Sequence, residues 1–131
     1  MENMETLKAE LKELKTQYHD ILEKIEMKNL EIALSECPLK IGEKVKLIYP
    51  DKEIEGEITH IQYCYKNIID KVLNNVDSFP TWGVLGKRIN KTNGQVGKWG
   101  FSADPIFFDY DDTSKQFTQK KDILMAIFND D

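Results

Sequence analysis

The sequence predicts an α+β protein in which a long N-terminal amphipathic helix precedes a small β-barrel carrying a short helical insertion and a C-terminal helix. Three observations predict it. Apolar residues recur at alternating intervals of three and four from Met4 to Ile25, the period drops to two after Pro38, and Asn93-Gly94 lies between two strand-like runs. The expected organisation is a coiled-coil helix over residues 1–36, a β domain over residues 38–110, and an acidic loop with a docked helix over residues 111–131.

The helix rests on Met4, Leu7, Leu11, Leu14, Tyr18, Ile21 and Ile25. With Met4, Leu11, Tyr18 and Ile25 at heptad position a and Leu7, Leu14 and Ile21 at d, these residues form the seam of a coiled coil of about three heptads. They are the expected oligomerisation contacts, with a second copy of the chain as partner. Glu10 and Lys15 occupy g and e positions that pair between parallel chains, and Asp20 and Lys24 pair along one helix. Lys28 interrupts the seam. Beyond it Leu30, Ile32, Ala33 and Leu34 spread apolar surface around the helix, so the last turn is expected to sit against the rest of the protein. Pro38 lacks an amide hydrogen and drives Cys37 out of the helical region, which ends the helix near Glu36. A helix of about 45 to 50 Å is longer than the remaining domain is wide and must overhang it.

In the β domain, Ile41, Val45 and Leu47 alternate with Lys44 and Lys46, the pattern of a half-buried strand that Pro50 and Asp51 turn. The next run holds Ile54 and Ile58 in one phase and Ile61, Tyr63 and Tyr65 in the other, so a bulge or bend is expected near Thr59 or His60. Residues 67–76 return to helical spacing through Ile69, Val72, Leu73 and Val76 and read as an insertion. Asn93-Gly94 offers the positive-φ residues of a tight hairpin turn. Residues 106–110 read as a further strand, and Thr118 as the cap of a helix bearing Ile123, Leu124, Met125, Ile127 and Phe128. Short, bent strands favour closure into a barrel, which removes sheet edges.

The segment IGEKVKLIYPDKEIEGEITHI resembles the opening strand, loop and second strand of SH3-like barrels, including KOW and Tudor-type modules. The order of helix, barrel-like segment and TWGVLGKRINKTNGQVGK hairpin is similar to that of small phage and mobile-element proteins. That resemblance implies a protein that blocks or sequesters a host defence protein or a signalling nucleotide in the host cytoplasm.

Composition narrows the function classes. At 40% hydrophobic and 31% charged residues the chain can bury a core and cover it. Its longest stretch free of Asp, Glu, Lys and Arg spans residues 78–86, far short of the roughly 20 residues a membrane helix needs. The first residues lack the apolar run of a secretory signal, so a cytoplasmic location is expected. Cys37 and Cys64 have no zinc-site spacing, and no metal or cofactor is expected.

Net charge is −5, with five lysines against nine acids in residues 1–36 and three against seven in residues 102–131. Between these acidic ends, residues 81–101 hold Lys87, Arg88, Lys91 and Lys98, interleaved with Trp82 and Trp99 and free of acids. Cations beside aromatic faces suit a protein partner with an acidic surface; the alternative is nucleic acid or a nucleotide, with phosphates on the cations and bases on the rings. IFFDYDDTS imitates the Asp-x-Asp-x-Thr opening of haloacid-dehalogenase-type phosphatases, but only 18 residues follow Thr113, too few to complete that site. Solvated acids at a strand end explain Asp109, Asp111 and Asp112. His60 and Cys64 lack a third catalytic group, and His19 lies outside the seam. The expected protein is a non-enzymatic, self-associating binding protein.

Overall fold

The computed structural model describes residues 3–120. Asn3 caps the first helix, its side-chain oxygen accepting the Thr6 N–H at 2.8 Å. Helix α1 runs over Met4–Glu36 and stops where Cys37 turns extended ahead of Pro38. Six strands follow: β1 (Lys44–Ile48), β2 (Glu53–Cys64), β3 (Thr81–Ile89), β4 (Val96–Ala103), β5 (Phe108–Asp111) and β6 (Gln116–Gln119), with helix α2 (Ile68–Leu73) between β2 and β3.

The strands form one sheet in the order β4-β3-β2-β1-β6-β5. Every neighbouring pair is antiparallel except β1 and β6, where Leu47 lies opposite Phe117 in parallel register. The phase slip read at Thr59 is present: the β2–β3 register shifts between Ile58 and His60. Val45 and Leu47 of β1 are buried and Lys44 is exposed, as the alternation requires, whereas Ile41 precedes the strand and stays exposed.

The expected SH3-like barrel is not formed, because the sheet stays open between its edge strands β4 and β5. Large side chains on the concave face account for this. The Trp82 ring of β3 meets Tyr110 of β5 at 5.4 Å and Phe117 of β6 at 5.9 Å, edge to face, and Phe117 also meets Phe108 edge to face and Tyr110 at a tilt. The two halves of the curled sheet therefore meet through aromatic rings and not through a backbone ladder. Ala33, Leu39, Val45, Leu47, Ile54, Ile58, Val84, Phe101 and Ala103 complete this core.

The chain after residue 110 also differs from expectation. Asp104 accepts the N–H groups of Ile106 and Phe107, which delays β5 to Phe108. Thr118, read as a helix cap, lies in β6, because Phe117 completes the core beside β1. The helix expected from Ile123 to Phe128 lies outside the described residues. The Asn93-Gly94 turn is looser than a two-residue hairpin: residues 90–95 form the loop, only Gly94 has positive φ, and its N–H donates to the Asn90 carbonyl at 2.7 Å.

Phe101 is seated on two glycines. A Cβ on Gly86 would collide with the Glu57 carbonyl and the Phe101 ring, and one on Gly56 would collide with that ring. Gly86→Ala is therefore expected to lower the unfolding free energy by about 2 to 3 kcal/mol, read from the denaturation midpoint at unchanged m-value.

Candidate functional site

Helix α1 presents a long unpartnered apolar stripe. Met4, Leu7, Leu11, Leu14, Tyr18 and Ile21 are between 44 and 64% exposed. Past Ile21 the same side of the helix turns onto the sheet: Leu22, Ile25, Asn29 and Ile32 are half-buried and Ala33 is fully buried. At about 100° per residue the a positions drift by only about 20° per heptad, so Ile32 continues the line from Met4 through Ile25. The Tyr65 hydroxyl donates to Asn29 Oδ1 at 2.7 Å and anchors this end. Ile25, expected at the oligomer seam, is thus shared with the chain's own sheet. Leu30, expected against the domain, lies beside Ile61 and Tyr63 of β2 but keeps 39% of its surface exposed, and Leu34, expected there too, is about half exposed.

The hairpin residues divide among different environments. Trp82, expected on the contact surface, is buried in the aromatic core. Arg88 is half-buried, and its Nε has no hydrogen-bond partner among the described residues. Lys87 is exposed, its ammonium donating to the Lys98 carbonyl at 3.4 Å. Lys91 and Lys98 are exposed, and Trp99 is 70% exposed. Trp99 stands where β4 widens: between the pairs Lys87–Gly100 and Ile89–Val96, residues 97–99 face Arg88 alone.

Acids lie beside the neighbouring cations. Lys44 and Lys87 flank Glu57 on adjacent strands, Lys46 lies opposite Glu55, and its ammonium is 4.0 Å from Glu53. The outer face of β1, β2 and β3 is therefore a ladder of alternating charge with no cationic track along which phosphates would lie.

A second apolar surface lies in the insertion. Ile68, Ile69, Val72, Leu73, Val76 and Phe79 are all exposed, and α2 buries no residue. Asn67 caps α2, and Asn74 closes it in the left-handed region at φ 51°. Helical spacing in the sequence marked the helix, but nothing in that spacing told a buried face from a bare one.

The remaining candidates have structural roles. Asp111 accepts the Thr113 N–H and the Ser114 hydroxyl, so it shapes the β5–β6 turn, where Lys115 takes positive φ. Lys115 and Tyr110 both donate to Asp112 and hold its carboxyl below the usual range. His60 Nδ1 lies 2.9 Å from the Thr59 hydroxyl. Three residues of continuous strand, a span of about 13 Å, separate His60 from Cys64. The Cys64 thiol, 3.4 Å from the Trp82 carbonyl, is pushed up to about 12, by burial first and then by Asp104. Burial also raises the Cys37 thiol. Among the described residues, no helix is long and apolar enough to cross a membrane.

Fold and surface together define a mixed α+β protein with an overhanging amphipathic helix and two exposed apolar surfaces. Comparison with protein-family models, with curated proteins and with solved structures finds no match to this chain.

A thiol held near 12 exposes almost no thiolate at neutral pH. Aromatic disulfide reagents at pH 8 are expected to label Cys64 at least about 100-fold more slowly in the folded chain than in denaturant, measured by mass spectrometry of the labelled peptide.

Proposed function

We propose that this is a non-enzymatic, self-associating binding protein in which α1 joins copies and the sheet carries surfaces for another protein. The observation that supports this most is the bare stripe from Met4 to Ile21 on a helix that projects past its own sheet. A helix packed along only its last turns gains little stability for the rest, since helices in proteins are stabilised mainly by burying an apolar face. A heptad seam is complementary to another copy of itself.

Two surfaces are available to a protein partner, one at each end of β3. The insertion with Ile68, Val72 and Phe79 precedes Thr81, and the hairpin tip with Lys91, Lys98 and Trp99 follows Ile89, about 30 Å away. The tip suits acidic groups and the insertion suits an apolar face. Joining copies multiplies both and raises apparent affinity through effective concentration. The resemblance to phage proteins extends this reading to a blocker of a host protein in the cytoplasm. A nucleic-acid reading has less support, because Trp82 is withdrawn into the core and Glu57 adjoins Lys87.

Leu11→Asp with Leu14→Asp is expected to reduce the solution mass to a single copy. The unfolding midpoint of the sheet should stay within a few degrees of the parent, because both residues are exposed. Light scattering of parent and variant checks this; a parent of single-copy mass at 100 µM refutes self-association. Titration with a single-stranded oligonucleotide at low salt is expected to show no binding, and affinity that falls steeply with salt and disappears in Lys87→Glu/Arg88→Glu would favour the rival reading.

A further inference from the structure

The chain's own sheet decides which way a partner helix can run. Leu22, Ile25, Asn29 and Ile32 are half-buried and Ala33 is buried, while Lys28 and Ser35 at the d positions stay exposed, so from Leu22 onward the a-position side of α1 is already occupied by the sheet. In a parallel pair in register, the sheets of both copies would have to lie in the same space between the two helices. Turning the partner over removes the conflict, since its sheet then sits at the far end and only its bare residues 4–21 lie along residues 4–21 of the first copy.

We infer that the stripe binds a second copy antiparallel to the first, with Met4 facing Ile21, Leu7 facing Tyr18 and Leu11 facing Leu14, each pair made twice about a two-fold axis. This rests on the self-association proposed above. Every layer joins an a position to a d position, and all six exposed positions of each copy are covered with none left over. The interface is on the order of 1,000 Å², at the small end of specific interfaces, which suits a dimer of micromolar strength.

The flanking charges alone point the other way. A parallel pair would match Glu10 with Lys15, whereas the antiparallel register brings Lys8 near the partner copy's Lys15. Each such exposed pair changes an association constant only about two-fold. Overlap of two folded sheets forfeits the whole seam, so the steric constraint prevails. In the antiparallel dimer the two Glu36 residues end about 70 Å apart, one sheet at each end of a common rod.

Full-length Leu11→Cys and Leu14→Cys variants test the direction, with the parent as control for Cys37 and Cys64. Mixed and mildly oxidised, the two variants are expected to form a disulfide-linked dimer at least 10-fold faster than either alone. Spin labels on Glu23→Cys, an exposed position, provide a second measurement that leaves the seam intact, with an expected separation of about 35 Å against about 20 Å for a parallel pair. A two-copy mass in which Leu14→Cys cross-links to itself and the labels lie near 20 Å overturns the antiparallel inference and leaves self-association standing. A four-copy mass overturns the two-fold arrangement, and a single-copy mass overturns self-association itself.

Discussion

The structure depends on the seating of Phe117. Its ring is fully buried on β6 and touches Trp82 of β3 and Phe108 and Tyr110 of β5, strands on opposite sides of β1 and β2. One side chain therefore ties the β6–β5 end to β3 across β1 and β2. Burying a ring of this kind stabilises by about 3 to 5 kcal/mol, a large part of what a domain of this size has in total. It also requires β6 to run beside β1 in parallel register, the one parallel pairing in the sheet.

The rest of the fold follows from that closure by side chains. The curled sheet makes a concave face, and Ala33, Leu39, Phe101 and Phe108 fill it. Phe101 can lie flat only because Gly56 and Gly86 leave room beneath its ring. Ala33, as part of this core, carries the last turns of α1 with it, and the Tyr65 hydroxyl on Asn29 sets the rotation of the helix. With that rotation set, the stripe from Met4 to Ile21 projects along the side the sheet occupies further on. A local packing event thus governs a surface some 30 Å away through the stiffness of a helix.

Burial also separates exposed groups from structural ones. Trp82 and Trp99 have the same chemistry and lie beside the same cations in sequence, yet one is core and the other is surface. Asp109 and Asp111 imitate a phosphatase motif, but the Asp111 oxygens are engaged by Thr113 and Ser114 within one turn. The cations of β1 and β3 have acids beside them on β2, which is visible only once the register is known.

Local physics was legible in the residues themselves. The heptad stripe, the stop at Pro38, the slip near Thr59 and the insertion at 67–76 all follow from periodicity and backbone stereochemistry, which act over a few residues and need no partner. The open sheet, the parallel place of β6, the burial of Trp82 and the bare face of α2 were not legible, because each depends on which strands meet. Thr118 shows the difference: its neighbours suit a helix cap, and the space beside β1 for Phe117 makes it a strand. The sequence alone determined that α1 carries an apolar stripe. Only the tertiary structure decided where the exposed part of that stripe ends, because the sheet claims the same side of the helix from Leu22 onward.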